Sequence, residues 1–317
     1  MASNNTEVDY DYNERSPQTE TPIEDTLLLK NIRMLYIIGY LVICGLGVTL
    51  NLYVIIVVCR VCHKKPPPTS VWILALAVTH VIFSAFLVLQ FLYAWHHFNW
   101  RYGASLCKIS SFVIYSSMFS TAAMLSMWSI SRCICSSNFC EAICGPICGR
   151  GTSMIMILVS SSWTFGVLLG LPSLFSRELR YTNIGEQCID DFDYDDNIAT
   201  DIGWKYLMAV VLSRFLLGVL LPMFLILISA CLEGRQNHDL HQNCKRIMCA
   251  IKVAYFICWT PLLFMGLVQV TSGNNTFFKY GLPAATVLAA AHSLVNPVIY
   301  LLVGRRINMG WMLLNYN

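Results

Sequence analysis

Few side chains in the long apolar stretches of this chain could do chemistry. His80 and His292 each lie about ten residues into an uncharged apolar run. Two imidazoles can ligate a transition metal, or one neutral ring can donate a hydrogen bond to the other. A catalytic zinc site takes three protein ligands and an open position, and no third His, Asp or Glu stands inside such a run. A metal hydrolase is therefore not expected, and the rings read as a hydrogen-bonded pair. Arg214 borders another run, and Arg177 stands just past the end of one more. A charge at bilayer depth costs several kcal/mol unless it meets an anion or water. Two guanidinium forks at one pocket suit a carboxylate held by paired hydrogen bonds. Ion pairing with Asp190, Asp191 or Asp193 on the connection between the arginines is the other option. Five cysteines, Cys133, Cys135, Cys140, Cys144 and Cys148, fall within sixteen residues. They lack the paired C-x2-C spacing of zinc sites, and they read as palmitoylation sites or as free thiols.

The elements that position these groups follow from composition. The chain has 317 residues, 56% hydrophobic and only 12% charged, with mean hydropathy +0.58. Soluble chains carry roughly a quarter charged residues, so cytosolic, nuclear and disordered classes are excluded. The net charge of +3 forms no basic patch interleaved with aromatics, so no nucleic-acid partner is expected; no cofactor is expected either. Seven uncharged runs stand out: Met34–Val58, Val71–Trp95, Ile109–Ile130, Met154–Phe175, Phe215–Leu232, Val253–Val270 and Gly281–Gly304. Each must be a helix, because in lipid every backbone polar group has to be satisfied within the protein. The expected fold is an all-α bundle of seven membrane-spanning helices over residues 32–304, preceded by an acidic tail, residues 1–31. A short segment, residues 305–317, follows, long enough for one amphipathic helix on the membrane face.

With the N-terminus outside, Lys and Arg divide 11 inside to 10 outside, so the positive-inside rule hardly discriminates. Two glycosylation sequons, at Asn4 and Asn274, fall on one side of the seven-span arrangement and favour an extracellular N-terminus. The cysteine cluster then faces the reducing side, where disulfides are improbable.

The ordered landmarks Asn51, Leu74-Ala75-Leu76-Ala77, Trp163, Pro222, Cys258-Trp259-Thr260-Pro261 and Asn296-Pro297-Val298-Ile299-Tyr300 resemble the rhodopsin-like G-protein-coupled receptors across nearly the whole chain. Within that family, three stretches are similar to the chemoattractant group that includes the chemerin, formyl-peptide and complement-anaphylatoxin receptors. They are Asn99-Trp100-Arg101-Tyr102-Gly103 before Cys107, Ser213-Arg214-Phe215-Leu216 before Pro222, and Gly281-Leu282-Pro283. The resemblance implies a disulfide between Cys107 and Cys188, and a peptide C-terminus as the carboxylate that Arg177 and Arg214 receive near Trp100. It also implies tyrosine sulfation at Tyr10 and Tyr12, among the acids of a tail that would steer a cationic ligand. Trp259 below a Pro261 kink would be a pivot between two packings; simple core filling is the alternative. The prolines at 222, 261 and 297 each remove a backbone hydrogen bond, which neighbouring helices have to replace.

The opposite end departs from the family pattern. His80 stands where the family keeps an aspartate for sodium, and His292 replaces its polar partner on an adjoining helix. Imidazole is a poor ligand for a hard cation, so bound sodium is not expected. Ser131-Arg132-Cys133 replaces an acid-Arg-Tyr triplet, and Ala230 takes the place of a fifth-helix tyrosine. Arg132 is less restrained without an acid beside it, yet the active-state clasp is also lost, so neither state is favoured by sequence. Residues 307–317 contain no Ser, Thr or Cys, so neither arrestin capture coded by Ser or Thr phosphorylation nor a tail palmitate is expected from this segment. The expected protein is a non-enzymatic plasma-membrane receptor, in contact with membrane lipids, that binds an extracellular peptide or protein and activates a Gi-class heterotrimeric G protein. The alternative is a decoy that binds its ligand but couples poorly.

Overall fold

The computed structural model describes residues 22–61, 68–135, 151–182, 185–190, 194–195, 198–233, 242–272 and 276–304. Seven helices long and apolar enough to cross a membrane form the bundle. They are α1 (Pro22–Val61), α2 (Pro68–Trp95), α3 (Gly103–Cys135), α4 (Gly151–Gly170), a fifth span in three parts, α8 (Gln242–Ser272) and α9 (Thr276–Gly304). A short α5 (Pro172–Ser176) follows α4. The fifth span runs as α6 (Asp201–Phe215), a π-helical turn (Leu216–Leu220) and α7 (Leu221–Glu233).

Every apolar run lies within or largely within one of these spans, but the helices extend past the runs. The fifth begins at Asp201 rather than Phe215, and the sixth at Gln242 rather than Val253. Hydrogen bonding continues a helix through charged residues once they reach the interface, so an uncharged window ends too soon. Likewise α1 starts at Pro22, which makes residues 22–31 helix rather than tail. The fourth run breaks early: α4 stops at Gly170, and Pro172 opens a separate turn, because proline cannot continue the ladder behind it. The tail bearing Tyr10, Tyr12 and Asn4, the cysteines from Cys140 to Cys148, Asn274 and residues 305–317 lie outside the described residues.

The connection after α5 contains a hairpin that the apolar pattern did not reveal. Strands β1 (Arg177–Thr182) and β2 (Gly185–Asp190) pair antiparallel with Leu179 opposite Cys188; a further two-residue pair, β3 (Tyr194–Asp195) and β4 (Ile198–Ala199), follows. Cys188 is disulfide-bonded to Cys107 at the start of α3. The Trp100 N–H donates to Glu186 O at 2.6 Å, and the Glu186 N–H donates to Asn99 Oδ1 at 3.1 Å. Gly185 has φ +121°, and a Cβ there would lie 2.9 Å from Asn99 Cγ, so the hairpin is fitted to the α2–α3 turn. At the other contact of α3, a Cβ on Gly166 of α4 would sit 2.6 Å from the Ser120 backbone nitrogen. That close approach leaves α3 buried at the centre, where Phe119, Met124 and Leu125 are fully enclosed.

The prolines dictate two cross-links between helices. Pro222 has no N–H for the carbonyl of Gly218, four residues earlier, and the Tyr255 hydroxyl of α8 donates to Gly218 O at 2.8 Å. Pro297 likewise leaves the carbonyl of Ser293, which accepts from Asn51 Nδ2 of α1 at 2.9 Å; the same amide donates to Gly47 O at 2.8 Å. Trp163 Nε1 of α4 donates to Thr79 Oγ1 of α2 at 2.9 Å. Replacing Tyr255 by Phe keeps the ring and removes the donor. It should cost about 1 kcal/mol, within the range for hydrogen bonds between membrane helices, read as a lower melting temperature of the purified protein. An unchanged melting temperature would show that the Gly218 carbonyl does not depend on Tyr255.

Candidate functional site

The end of the bundle that carries the disulfide holds a cavity of about 290 Å³. Trp259 lies at its base and Trp100, Tyr115, Tyr93 and Leu282 in its walls, with Arg177 and Cys188 from the hairpin. Trp100 is buried and donates its indole N–H to Gly103 O at 3.0 Å. Pro261 interrupts α8 two residues beyond Trp259, and the Trp259 ring meets Phe83 edge-on with centroids 6.2 Å apart.

Arg177 and Arg214 converge, as their spacing suggested, but on a residue of the chain itself. Arg177 Nε stands 3.0 Å from Asp190 Oδ1, and Arg214 Nη1 stands 3.6 Å from Asp190 Oδ2. Arg177 also donates to Cys188 O at 3.0 Å, and Ser176 Oγ donates to Asp190 Oδ1 at 2.9 Å. The Arg214 guanidinium lies 3.7 Å from the centre of the Tyr115 ring, a cation–π contact that supports its burial. Of the three acids left open by sequence, Asp190 supplies the countercharge, while Asp191 and Asp193 lie outside the described residues. Arg177 faces the cavity; Arg214 is not among its lining residues. Burial alone would raise the Asp190 carboxyl, but Arg177 and Arg214, with Ser176, hold it below its ordinary range.

His80 and His292 do meet, with ring centroids 4.9 Å apart, but the rings stand edge to face at 87°. Among the described residues, neither ring nitrogen of His80 nor Nε2 of His292 has a hydrogen-bond partner, so the expected hydrogen bond between them is replaced by an aromatic contact. The orientation follows from a second neighbour: the Tyr255 ring packs on His292 at 5.3 Å, also edge to face. A cavity of about 10 Å³ borders both histidines, Ser117 and Thr121, the size of a single water.

At the end opposite the disulfide, Ser131 Oγ donates to Trp128 O at 2.9 Å and so satisfies itself within its own helix. Arg132 Nη1 reaches across to Met248 Sδ of α8 at 2.7 Å; a neutral thioether takes part of what a carboxylate would hold. Ala230 lines a cavity of about 460 Å³ with Arg132. Asn296 and Tyr300 are buried in α9. Sequence did not reveal Tyr115, whose ring reads as any aromatic of the core, or Tyr255, whose acceptor belongs to another span.

The sequence model of the 7 transmembrane receptor (rhodopsin) family matches residues 50–300. The chain is 27% identical to "Chemerin-like receptor 1" of Homo sapiens over 291 residues, 86% of this chain and 76% of that one. The corresponding Mus musculus protein is 28% identical over 290 residues, 84% and 75% of the two chains. "Chemerin-like receptor 2" of Rattus norvegicus is 27% identical over 253 residues, 76% and 68%.

The lowered Asp190 value fixes the sign of a pH dependence. The stabilisation is complete above the unfolded carboxylate value of about 3.9 and is lost only as pH falls through the lower folded value. The triad's stabilisation should therefore be constant from about pH 5 to about pH 7. Asp190→Asn should lower stability by about 3 kcal/mol across that window, because it strands two largely buried cations. Melting curves of both proteins at several pH values check this, and an Asp190→Asn protein as stable as wild type would contradict it.

Proposed function

The chain belongs to the rhodopsin family of seven-transmembrane receptors, and from that premise we propose that it binds an extracellular chemoattractant peptide or protein of the chemerin type and activates a Gi-class heterotrimeric G protein. The family consists of receptors, not enzymes, and a seven-span receptor is a multi-pass protein of the plasma membrane. In this reading the N-terminus is extracellular, glycans attach at Asn4 and Asn274, and sulfated Tyr10 and Tyr12 gather a cationic ligand. The cluster from Cys133 to Cys148 lies on the cytosolic side as palmitoylation sites.

The observation that carries the proposal is the arginine pair over an aromatic cavity. Arg177 is already oriented by Cys188 O and Asp190, so a ligand carboxylate entering from the disulfide end meets a fork that needs little reordering. Arg214 remains on Asp190 behind it, and this keeps the local charge positive when the ligand arrives. Trp100 and Tyr93 would flank the ligand's last side chains, and contact at the cavity base would press on Trp259 beside Pro261. Movement there passes along α8 to Met248 and Arg132, and along α9 to Asn296, Pro297 and Tyr300, toward the G protein. Retention of Arg132, Asn296 and Tyr300 favours coupling over the decoy alternative, in which the changes at Ser131 and Ala230 would silence the receptor.

Two measurements test this. Chemerin-tail peptide should inhibit cAMP formation in cells displaying the protein, and a Gi-inactivating toxin should abolish the effect; binding without inhibition would make the protein a decoy. Amidating the peptide C-terminus should weaken binding roughly 10- to 100-fold, the scale of a charge-assisted pair. Arg177→Gln should weaken it as much, with little further loss when the two are combined. Fully additive losses would place the carboxylate elsewhere.

A further inference from the structure

Among the described residues, the exposed free cysteines are Cys59, Cys231 and Cys249; Cys44 and Cys133 are partly covered and Cys258 is buried. Each exposed thiol stands near the end of a span. Cys59 is the last residue but one of the first (Leu27–Arg60), and Cys231 the last but one of the fifth (Asp201–Leu232). Cys249 is the fourth residue of the sixth (Arg246–Thr271). Successive spans alternate in direction, so all three ends lie opposite the disulfide. Cysteines at a membrane interface are the kind that carry thioester-linked fatty acids.

Cys249 differs from the other two in what lies beside it. It lines the cavity of about 460 Å³ between the fifth span and α8, within the range of small-molecule sites. Met223, Leu227 and Ala230 belong to one wall, Val253 and Phe256 to the other. Met223, Leu227 and Val253 are 39%, 56% and 49% exposed. Apolar residues this exposed on a spanning bundle face hydrocarbon, so the cavity opens sideways toward lipid. Ala230 and Cys249 lie at the end nearer the interface. Met223 and Phe256 are each seven residues further into their spans, about 10 Å along a helix. Cys249 therefore stands at the interfacial end of an apolar space that runs toward the bilayer centre. Arg132 and Lys252, the charged members of the lining, are already engaged within the chain, so the walls and the thiol select the occupant.

We propose that Cys249 is S-acylated by a long-chain fatty acid whose chain lies in this cavity, between the fifth span and α8. The Cys249 thiolate attacks the thioester carbonyl of a fatty acyl-CoA. A bond from Sγ to that carbon forms as the bond to the CoA sulfur breaks, and CoA leaves as a thiol with the proton that Cys249 gave up. The exposed thiol is within reach of a membrane acyltransferase, and the opening toward lipid lets the chain enter without crossing water. Burial of its methylene groups between the two walls then holds it. Cys59 and Cys231 are not among the lining residues, so a chain on either would lie in bulk lipid. The proposal rests on the reading that the end opposite the disulfide is cytosolic, where acyl-CoA is found and thiols stay reduced. It does not depend on which ligand or G protein the receptor uses.

The test uses the full chain with an N-terminal epitope tag, in cells fed palmitate that carries a terminal alkyne and a diazirine midway along it. Staining of the tag on intact cells reads the orientation separately. Label that hydroxylamine releases should map by mass spectrometry to the peptide containing Cys249. Cys249→Ser should remove it there and leave the surface level unchanged. Irradiation should crosslink the chain to residues 223–227. Ala230→Phe, which fills the cavity beside the thiol, should cut that crosslink several-fold and keep the thioester. With the tag outside, three results would each overturn the proposal: an unlabelled Cys249, a Cys249 chain that crosslinks only to lipid, or crosslinks to 223–227 that persist in Cys249→Ser. The last would mean a free fatty acid. A tag found only inside would sink the orientation and the proposal with it.

Discussion

The structure depends on one constraint: a backbone carbonyl inside a membrane needs a donor from the protein. Proline withdraws that donor, and here the debt falls on Gly218 and Ser293. Tyr255 answers the first and Asn51 the second, so two places where single helices are weakest become links between helices. The π-helical turn Leu216–Leu220 has the same cause. Just ahead of Pro222, it widens the fifth span where the ladder is already interrupted. A receptor that must repack its helices gains from this, because a hydrogen bond between two spans can be exchanged at lower cost than one inside a helix.

Charge follows the same logic at the disulfide end. Arg177 and Arg214 could not be buried side by side without Asp190, and Asp190 could not be buried without them. The hairpin brings the three together, and Cys107–Cys188 fixes the hairpin to α3. The resulting triad carries a net positive charge beside an aromatic cavity. The opposite charges of the triad are compensated within the chain itself.

In the middle of the bundle, the two histidines form an aromatic contact. His292 meets both His80 and Tyr255 edge to face, and Tyr255 continues the path to Gly218 on the fifth span. Helices two, seven, six and five are thus joined through these side chains. At the far end Ser131 bonds within its own helix, and Ala230 lines a cavity with Arg132. Arg132 also meets Met248 Sδ of the sixth span.

The apolar runs alone determined seven spans, because uninterrupted apolar runs of this length satisfy their backbone groups in hydrocarbon only as helices. The same residues marked the prolines whose carbonyls would need donors and the arginines that would need an anion. The order of landmarks carried the family. Sequence could not say where the helices end, since interfacial charge stops an apolar window but not a hydrogen-bond ladder. Nor could it say that Asp190 would neutralise Arg177 and Arg214, because only the β1–β2 register sets Asp190 opposite Arg177. The histidine geometry was also settled in three dimensions: two rings that could hydrogen-bond as an isolated pair turn edge to face when Tyr255 packs against one of them. Residue type sets what a side chain can do; the packing of the other helices decides which of those possibilities is used.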